Sequence, residues 1–438
     1  MNDSVCHTPI PTIFALSSGL PPAAIAVVRI SGPLAGDTLQ RLAGKLPSPR
    51  RGSVRTLRDP RNGVHLDHAL VLWFPGPATA TGEDLAELHL HGGRAVVNAV
   101  LAALSQEERL REARPGEFTR RAFENGRIDL SEAEGLADLL FAETEAQRRG
   151  AIAMVEGHFS RRVAVWEMDL LRISALVEAE LDFSDEDDVP EGAVEKVALL
   201  LEALLAEIIA EQAHPSAERL RDGIRVVLAG PPNAGKSTLL NALAGRDVAI
   251  VSPIAGTTRD RIETPVAING VPFLFIDTAG LREKGGDEIE GIGIDLAQRA
   301  MEDSDLVLWL GEPSQGPHNL AAKVVRIAPK SDLGSPNPHG CDLTLSALTG
   351  EGMLQLQTLL MDRARALLPR EGEYALNKRQ RVALASLQTE LESAIRTDDY
   401  LILAEHLRAA RGALDAITGR AGTEDMLDAL FSGFCIGK

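Results

Sequence analysis

Cysteine is scarce in this chain. Three occur in 438 residues, Cys6, Cys341 and Cys435, and they lie far apart. That spacing offers neither a disulfide framework nor a cysteine-rich metal cluster, and it suits a reducing compartment. No apolar run approaches membrane-spanning length, and no basic segment leading into an apolar run marks a secretory signal. A cytoplasmic location with no membrane association is expected. Positive charge is also in deficit: 45 Lys and Arg stand against 63 Asp and Glu, a net charge of −18. A bulk field of that sign excludes tight nucleic-acid binding by charge alone, so a local basic patch or a basic partner would be needed. What remains is ordinary for a globular protein, with 45% hydrophobic residues at a length that suggests two or three domains.

Against this background one segment carries chemistry. Gly230-Pro-Pro-Asn-Ala-Gly-Lys-Ser237 fits G-x-x-x-x-G-K-[ST], the loop that cradles nucleotide phosphates. The glycines let backbone N–H groups turn toward anionic oxygens. Lys236 can reach the terminal phosphates, and the Ser237 hydroxyl can bind Mg²⁺. Ile224 to Ala229 reads as a buried strand entering the loop, and Thr238 to Ala244 as a helix leaving it, so the helix dipole adds to anion binding.

The residues that follow narrow the loop to a GTPase. A second apolar strand, Phe273 to Ile276, ends in Asp277-Thr-Ala-Gly280. Asp277 is placed to hold Mg²⁺ through water, and Gly280 to approach a γ-phosphate. Gly256-Thr-Thr-Arg-Asp260 lies between the strands, and Thr258 is the residue expected to complete the Mg²⁺ shell. A water-orienting glutamine often follows the glycine at this point. Here Leu281 follows, so water must be oriented from elsewhere, and Glu283, Asp287, Glu288 and Glu290 are the nearby carboxylates. A solvated acidic loop is the plainer reading for most of them. Guanine selection usually rests on N-K-x-D. This chain has Pro329-Lys-Ser-Asp332, so Lys330 and Asp332 are kept while proline removes the amide. Ser346-Ala347-Leu348 fits the last guanine-contacting loop. Gly311 to Ala322 is short for a full crossover helix.

The expected architecture is multidomain α/β plus α+β. Residues 1–125 form an α+β domain, 126–216 a first helical segment, 217–372 a Ras-like P-loop GTPase domain, and 373–438 a second helical segment. The GTPase domain is thus an insertion in a helical domain. Ser131 with Glu134 reads as a capping box, and Val194, Val197, Leu201, Leu204 and Ile208 line one helix face. Ser184 to Pro190 reads as an acidic connector. Glu87, His89 and His91 share one strand face, which makes either a polar pocket or a metal site. A structural Arg29–Glu87 pair would look the same in sequence.

Over essentially its full length the chain resembles the bacterial tRNA modification GTPase family (MnmE, also called TrmE), the tRNA uridine-5-carboxymethylaminomethyl modification GTPases. The resemblance rests on Arg29-Ile-Ser-Gly32, Phe74-Pro-Gly-Pro77, Thr81-Gly-Glu-Asp84, His91-Gly-Gly93, Arg114-Pro-Gly-Glu-Phe118, the Asn233-containing phosphate loop, Gly256 to Asp260, Asp277 to Glu283 and Cys435-Ile-Gly-Lys438. It implies GTP hydrolysis with Mg²⁺ and K⁺, a homodimer, and an FAD-binding partner (MnmG/GidA type) in a heterotetramer, FAD being on the partner only. The implied work is modification of carbon 5 of the wobble uridine, position 34, in certain tRNAs. The one-carbon unit would come from 5-formyltetrahydrofolate or methylenetetrahydrofolate in the N-terminal domain.

Carried over by position, GTP would contact Asn233, Ala234, Gly235, Lys236, Ser237 and Thr238. It would also contact Ser252, Pro253, Ile254, Ala255, Gly256, Thr257 and Thr258, then Asp277, Thr278, Ala279 and Gly280, and the guanine residues Lys330, Asp332, Ser346, Ala347 and Leu348. Mg²⁺ would take Ser237 and Thr258; K⁺ would take Asn233, Ser252, Ile254 and Thr257. Catalysis would rest on Glu290, which precedes Ile292-Gly-Ile294, with Asn233 and Lys236. The folate set would be Arg29, Glu87, Arg127 and Lys438, with arginine at 127 where lysine is common. Cys435 is a candidate for attack on uracil carbon 6, against a structural or partner-facing role. It is no prenylation site, because Gly437 and Lys438 do not fit that signal. The competing function is a regulatory GTPase switch or ribosome-assembly factor without one-carbon chemistry.

Overall fold

The structure is a computed structural model and describes residues 11–183, 193–245, 263–278, 297–320, 323–334, 339–370, 373–420 and 424–438. The chain divides into two compact units, 1–137 with 418–438, and 138–417. Residues 418–438, expected as the tail of the second helical segment, thus belong with the N-terminal region.

The first unit is built on a six-stranded sheet in the order β3-β4-β5-β2-β1-β6. The strands are β1 (Thr12–Leu16), β2 (Ile25–Ser31), β3 (Ser53–Arg58), β4 (His65–Phe74), β5 (Leu85–His91) and β6 (Leu110–Glu112). The helices are α1 (Ala35–Ala43), α2 (Arg94–Ser105), α3 (Glu117–Glu124) and, at the unit's edge, α4 (Leu130–Phe141). Period-two alternation sorts the two sheet faces. Phe14, Val28, Ile30 and Leu88 bury against Leu39 of α1 and Val100 of α2. On the other side of β1, Ile13 and Ala15 meet Phe118 of α3. The helix Glu424–Ser432 returns late in the chain, and its Phe431 joins Leu130 and Ala133 of α4 in a small core. The helix start at α4 differs from expectation. The reciprocal capping pair is Asp129 with Glu132: Glu132 N donates to Asp129 Oδ1 at 2.8 Å and Asp129 N to Glu132 Oε2 at 2.8 Å.

The second unit joins a helical cluster to a parallel sheet. Its elements run α5 (Glu145–Val155), α6 (His158–Phe183), α7 (Ala193–Gln212), α8 (Ala217–Arg221), β7 (Ile224–Ala229), α9 (Lys236–Ala244), β8 (Glu263–Ile268), β9 (Val271–Asp277), β10 (Leu306–Leu310), β11 (Val324–Pro329), β12 (Leu343–Leu345), α10 (Met353–Arg365), α11 (Lys378–Arg396) and α12 (Tyr400–Thr418). The sheet order is β12-β11-β10-β7-β9-β8, parallel except for β8 against β9. Near-continuous apolar strands suit a sheet covered on both faces, and the core gathers Val226, Leu228, Phe273, Leu308 and Ile327 with Leu239 and Leu356. Between β10 and β11 stand two short 3-10 turns, Pro313–Gln315 and His318–Leu320.

The helical cluster buries Trp166, Leu170 and Ile173 of α6 against Val197, Leu201, Leu204 and Ile208 of α7, and Leu384 and Leu391 of α11. Trp166 keeps its indole N–H satisfied by Glu207 Oε2 at 3.1 Å. Where the chain leaves this cluster for the sheet and later returns, its two passes lie side by side. Ala217 N donates to Leu376 O at 3.0 Å and Leu376 N to Pro215 O at 3.2 Å. Among the described residues, no helix is long and apolar enough to cross a membrane.

Candidate functional site

Two clusters of polar residues stand out, one in each unit. In the second unit β7 delivers the chain into the loop Gly230–Ser237. Gly230 has φ +146°, and a Cβ there would lie 2.4 Å from the Leu310 carbonyl oxygen, so only glycine fits. Asn233 adopts a left-handed φ of 61° with its side chain at the surface. Its carbonyl accepts from Lys330 Nζ at 2.7 Å, which ties the guanine loop to the phosphate loop. Lys236 is buried, and its ammonium donates to the carbonyls of Gly230 at 3.1 Å and Pro231 at 3.0 Å. Phosphate oxygens would compete for those same protons.

Ser237 Oγ donates to Asp277 Oδ2 at 2.7 Å. A hydroxyl and a carboxylate brought together at the C-terminal ends of adjacent parallel strands form a hard-oxygen pair suited to Mg²⁺. Thr278 is buried with Oγ1 donating to Leu228 O at 2.8 Å. Its hydroxyl therefore serves the strand.

In the base loop, Asp332 Oδ1 accepts from the buried Ser346 Oγ at 2.5 Å, and Ser346 Oγ accepts from Thr349 N at 3.2 Å. Ser346 thereby fixes one Asp332 oxygen. Sequence reasoning assigned both residues to guanine but not to each other. Pro329 ends β11 opposite Leu345, and Lys330 takes a left-handed φ of 63° to turn the chain inward. Ala347 follows, and Leu348 is 79% exposed. Ser252, Pro253, Ile254, Ala255, Gly256, Thr257, Thr258, Ala279, Gly280 and Glu290 lie outside the described residues, as do Leu281, Glu283, Asp287 and Glu288.

In the first unit a cavity of about 350 Å³ is lined by Arg29, Arg127 and Lys438 with Thr79, Thr81 and Phe118. Three cations from distant parts of the sequence thus share one space. Glu87 is opposite Arg29 in the β2–β5 register, and Arg29 Nε donates to its Oε1 at 2.9 Å. His89 Nε2 lies 3.2 Å from Glu87 Oε2. His91 does not join them; its Nδ1 lies 2.7 Å from Asp67 Oδ1. Among the described residues no group of three or more His, Cys, Asp or Glu is arranged to hold a metal ion. The tail is threaded beside the cavity, with Ile436 bridged to Pro115 and Phe118 N donating to Lys438 O at 3.2 Å. Cys435 is exposed.

Glu117 at the start of α3 pairs with Arg111 of β6. Burial alone would push the Glu117 carboxyl up. The Arg111 guanidinium, at 2.7 Å, and the Arg114 N–H outweigh that effect and hold it below its ordinary value. Sequence reasoning missed the roles of Thr79, Thr81 and Asn125 around the cavity. The motif Thr81-Gly-Glu-Asp84 signals Thr81 alone.

A phosphate loop after the central strand of a parallel sheet, a Ser–Asp pair beside it and a Lys-x-Asp base loop define a P-loop GTPase. The wider comparisons agree. Residues 12–127 match the family model described as "GTP-binding protein TrmE N-terminus", and residues 130–435 match the "MnmE helical domain". The tRNA modification GTPase MnmE of Novosphingobium aromaticivorans is 57% identical, covering 98% of this chain and 99% of its own length. That of Rhizorhabdus wittichii is 59% identical, covering 98% and 96%. The chain belongs to the tRNA modification GTPase MnmE family. Among solved structures, the G domain of the T. maritima FeoB iron transporter covers 32% of this chain and 98% of its own at 24% identity and TM-score 0.24, a likeness too slight to bear on the assignment.

Proposed function

We propose that this chain is a K⁺-stimulated GTPase that acts, with an FAD-dependent partner, on carbon 5 of the wobble uridine of certain tRNAs. It would install an aminomethyl or carboxymethylaminomethyl group, using a tetrahydrofolate one-carbon unit held in the N-terminal cavity. The observation that carries this reading is the grouping of Arg29, Arg127 and Lys438 around one cavity, with Glu87 behind Arg29. Cations suit the glutamate tail of a folate; Glu87, which does not line the cavity, would act by holding Arg29. A regulatory switch or ribosome-assembly factor would need the nucleotide site alone and gives this cavity no task.

In the nucleotide site, Lys236 and the loop N–H groups bind the phosphates, and Asp332, oriented by Ser346, reads guanine. Ser237 and Thr258 would hold Mg²⁺, with Asp277 bonded to the Ser237 hydroxyl, and the ion would neutralise charge on the phosphate oxygens. Asn233, Ser252, Ile254 and Thr257 would hold K⁺, which would supply positive charge of the kind an arginine supplies in other GTPases. Glu290 would orient the attacking water. A homodimer draws support from Ile25, Val54 and Leu70, exposed apolar residues on the sheet face away from α1 and α2.

Wobble-position nucleosides from a strain lacking this chain, measured by mass spectrometry, test the reading. Loss of the modified uridine is expected, and unaltered wobble uridines would overturn it.

A further inference from the structure

The N-terminal cavity owes part of its wall to a single turn between β4 and β5, which contributes Thr79 and Thr81. The turn is closed on itself by Gly76 N donating to Asp84 Oδ1 at 2.8 Å and Thr79 Oγ1 to Glu83 O at 2.6 Å. Those local bonds shape it but do not fix where it stands against the cavity. That is done from α3 and the turn just after it. Arg121 Nη1 donates to Glu83 Oε2 at 2.9 Å, Asn125 Nδ2 to Thr81 O at 2.7 Å, and Arg127 Nε to Thr79 O at 3.1 Å. The Arg121 side chain is 6% exposed and that of Glu83 13%, so the arginine grip is largely shielded from water, which strengthens a charge-assisted bond. Ser31 reinforces it from β2, bonded to Thr81 Oγ1 and Glu83 Oε2, both at 2.8 Å.

Gly82 permits the close approach. It has φ +80°, and a Cβ on it would lie 2.7 Å from the Cβ of Asn125. The backbone of the turn at Gly82 therefore packs directly on the side chains of Asn125 and Arg127, just after α3. Arg127 holds the wall with Nε, and its terminal nitrogens remain as the donors it can offer a ligand. A lysine would have to serve both wall and ligand from a single nitrogen, without the separate donors of the guanidinium fork.

We propose that Arg121 and Asn125 are positioning residues for the tetrahydrofolate site: they act through the 79–84 turn and set the distance between that wall and the cations Arg29, Arg127 and Lys438. The proposal rests on the folate reading of the cavity. Neither side chain is required to touch the ligand.

Isothermal titration of the full-length protein with 5-formyltetrahydrofolate tests it, using the wild type, Asn125→Asp, Asn125→Gln and Arg121→Lys. Asn125→Asp keeps the size but cannot donate to Thr81 O. Its dissociation constant should rise about tenfold, the scale of one lost hydrogen bond. Asn125→Gln, which retains the donor, should recover part of that loss. The thermal midpoint of the Asn125 variants should stay within a few degrees of wild type, because a purely structural role would move the midpoint and leave binding by the folded protein unchanged. Arg121→Lys should weaken binding at least as much. Wild-type affinity in Asn125→Asp would overturn the positioning role while leaving the folate reading intact. Absence of binding by the wild type would overturn the folate reading itself.

Discussion

At the scale of single residues, the nucleotide site divides its labour among few atoms. Lys236 donates to the phosphate loop's own carbonyls, so Lys236→Ala should remove both a phosphate contact and a brace of the loop. Fluorescent-nucleotide titration should show affinity lower by about a hundredfold or more, the scale of losing a charge-assisted contact. Glu290→Ala should keep nucleotide binding and lose most hydrolysis, roughly a hundredfold or more for a water-orienting group. Turnover equal to wild type would move the role to Glu283, Asp287 or Glu288. In the proposed function, base reading would rest on Asp332, whose carboxylate accepts from Ser346. Asp332→Asn should reverse the polarity of the base contact, weakening GTP in competition binding while favouring xanthosine triphosphate. Ser346→Ala should do less, about tenfold, because it leaves the carboxylate in place but unoriented. Pro329 supplies no amide, so the Asp332 variant has little to fall back on.

The same scale separates what the sequence made legible from what it hid. The phosphate loop is contiguous, and its flanking strand and helix are local, so Gly230, Lys236 and Ser237 could be assigned from spacing alone. Ser346 and Asp332 are brought together by parallel strands β11 and β12, and nothing in their spacing announces the bond. The Asn125–Thr81 contact is a side chain meeting a backbone carbonyl, which carries no residue signature at all. The helix start at Asp129 was misread because Ser131–Glu134 and Asp129–Glu132 satisfy the same spacing rule. Only the backbone decides between them.

At the scale of elements, α3 links stability to pH. Glu117 at its start is held below the ordinary carboxylate value of 4.5 in the folded unit. A depressed folded value means that the pair's contribution is fully present above about pH 4.5 and is lost as pH falls further. The Arg111–Glu117 pair should therefore help protect the N-terminal unit at neutral pH and fail in acid. Thermal melts of wild type and Glu117→Gln should differ most near neutral pH and converge as the pH falls below about 4.5. A constant difference would assign the effect of Glu117 to packing. β1 offers a second test. Phe14 is fully buried between the sheet and its helices, so Phe14→Ala should cost about 3–5 kcal/mol in denaturant unfolding.

At the scale of the whole molecule, composition and site have to be reconciled. The net charge of −18 works against a polyanionic substrate, yet the chain belongs to a family named for tRNA modification. Charge is therefore expected to be arranged locally or supplied by the proposed partner, and tRNA affinity of the isolated chain should be weak and strongly salt-dependent. Gel-shift titration across a salt series, with and without the partner, would measure this. The monovalent cation is a test at the same scale, since it concerns the assembled active site. GTP turnover should be faster in KCl than in NaCl, and equal rates would remove K⁺ from the mechanism.

The two strands of chain at Pro215–Ala217 and Leu376 leave a last consequence. Because departure and return are hydrogen-bonded to each other, the segment between them closes a loop whose ends are already held together by the helical cluster. The entropy of closing such a loop grows only slowly with its length, so the host helices are nearly indifferent to how large their guest is. A short glycine-serine bridge in place of the whole GTPase domain should leave α6, α7 and α11 able to fold around Trp166. By the same logic, the nucleotide machinery could be exchanged for another module without redesigning the helices that carry it.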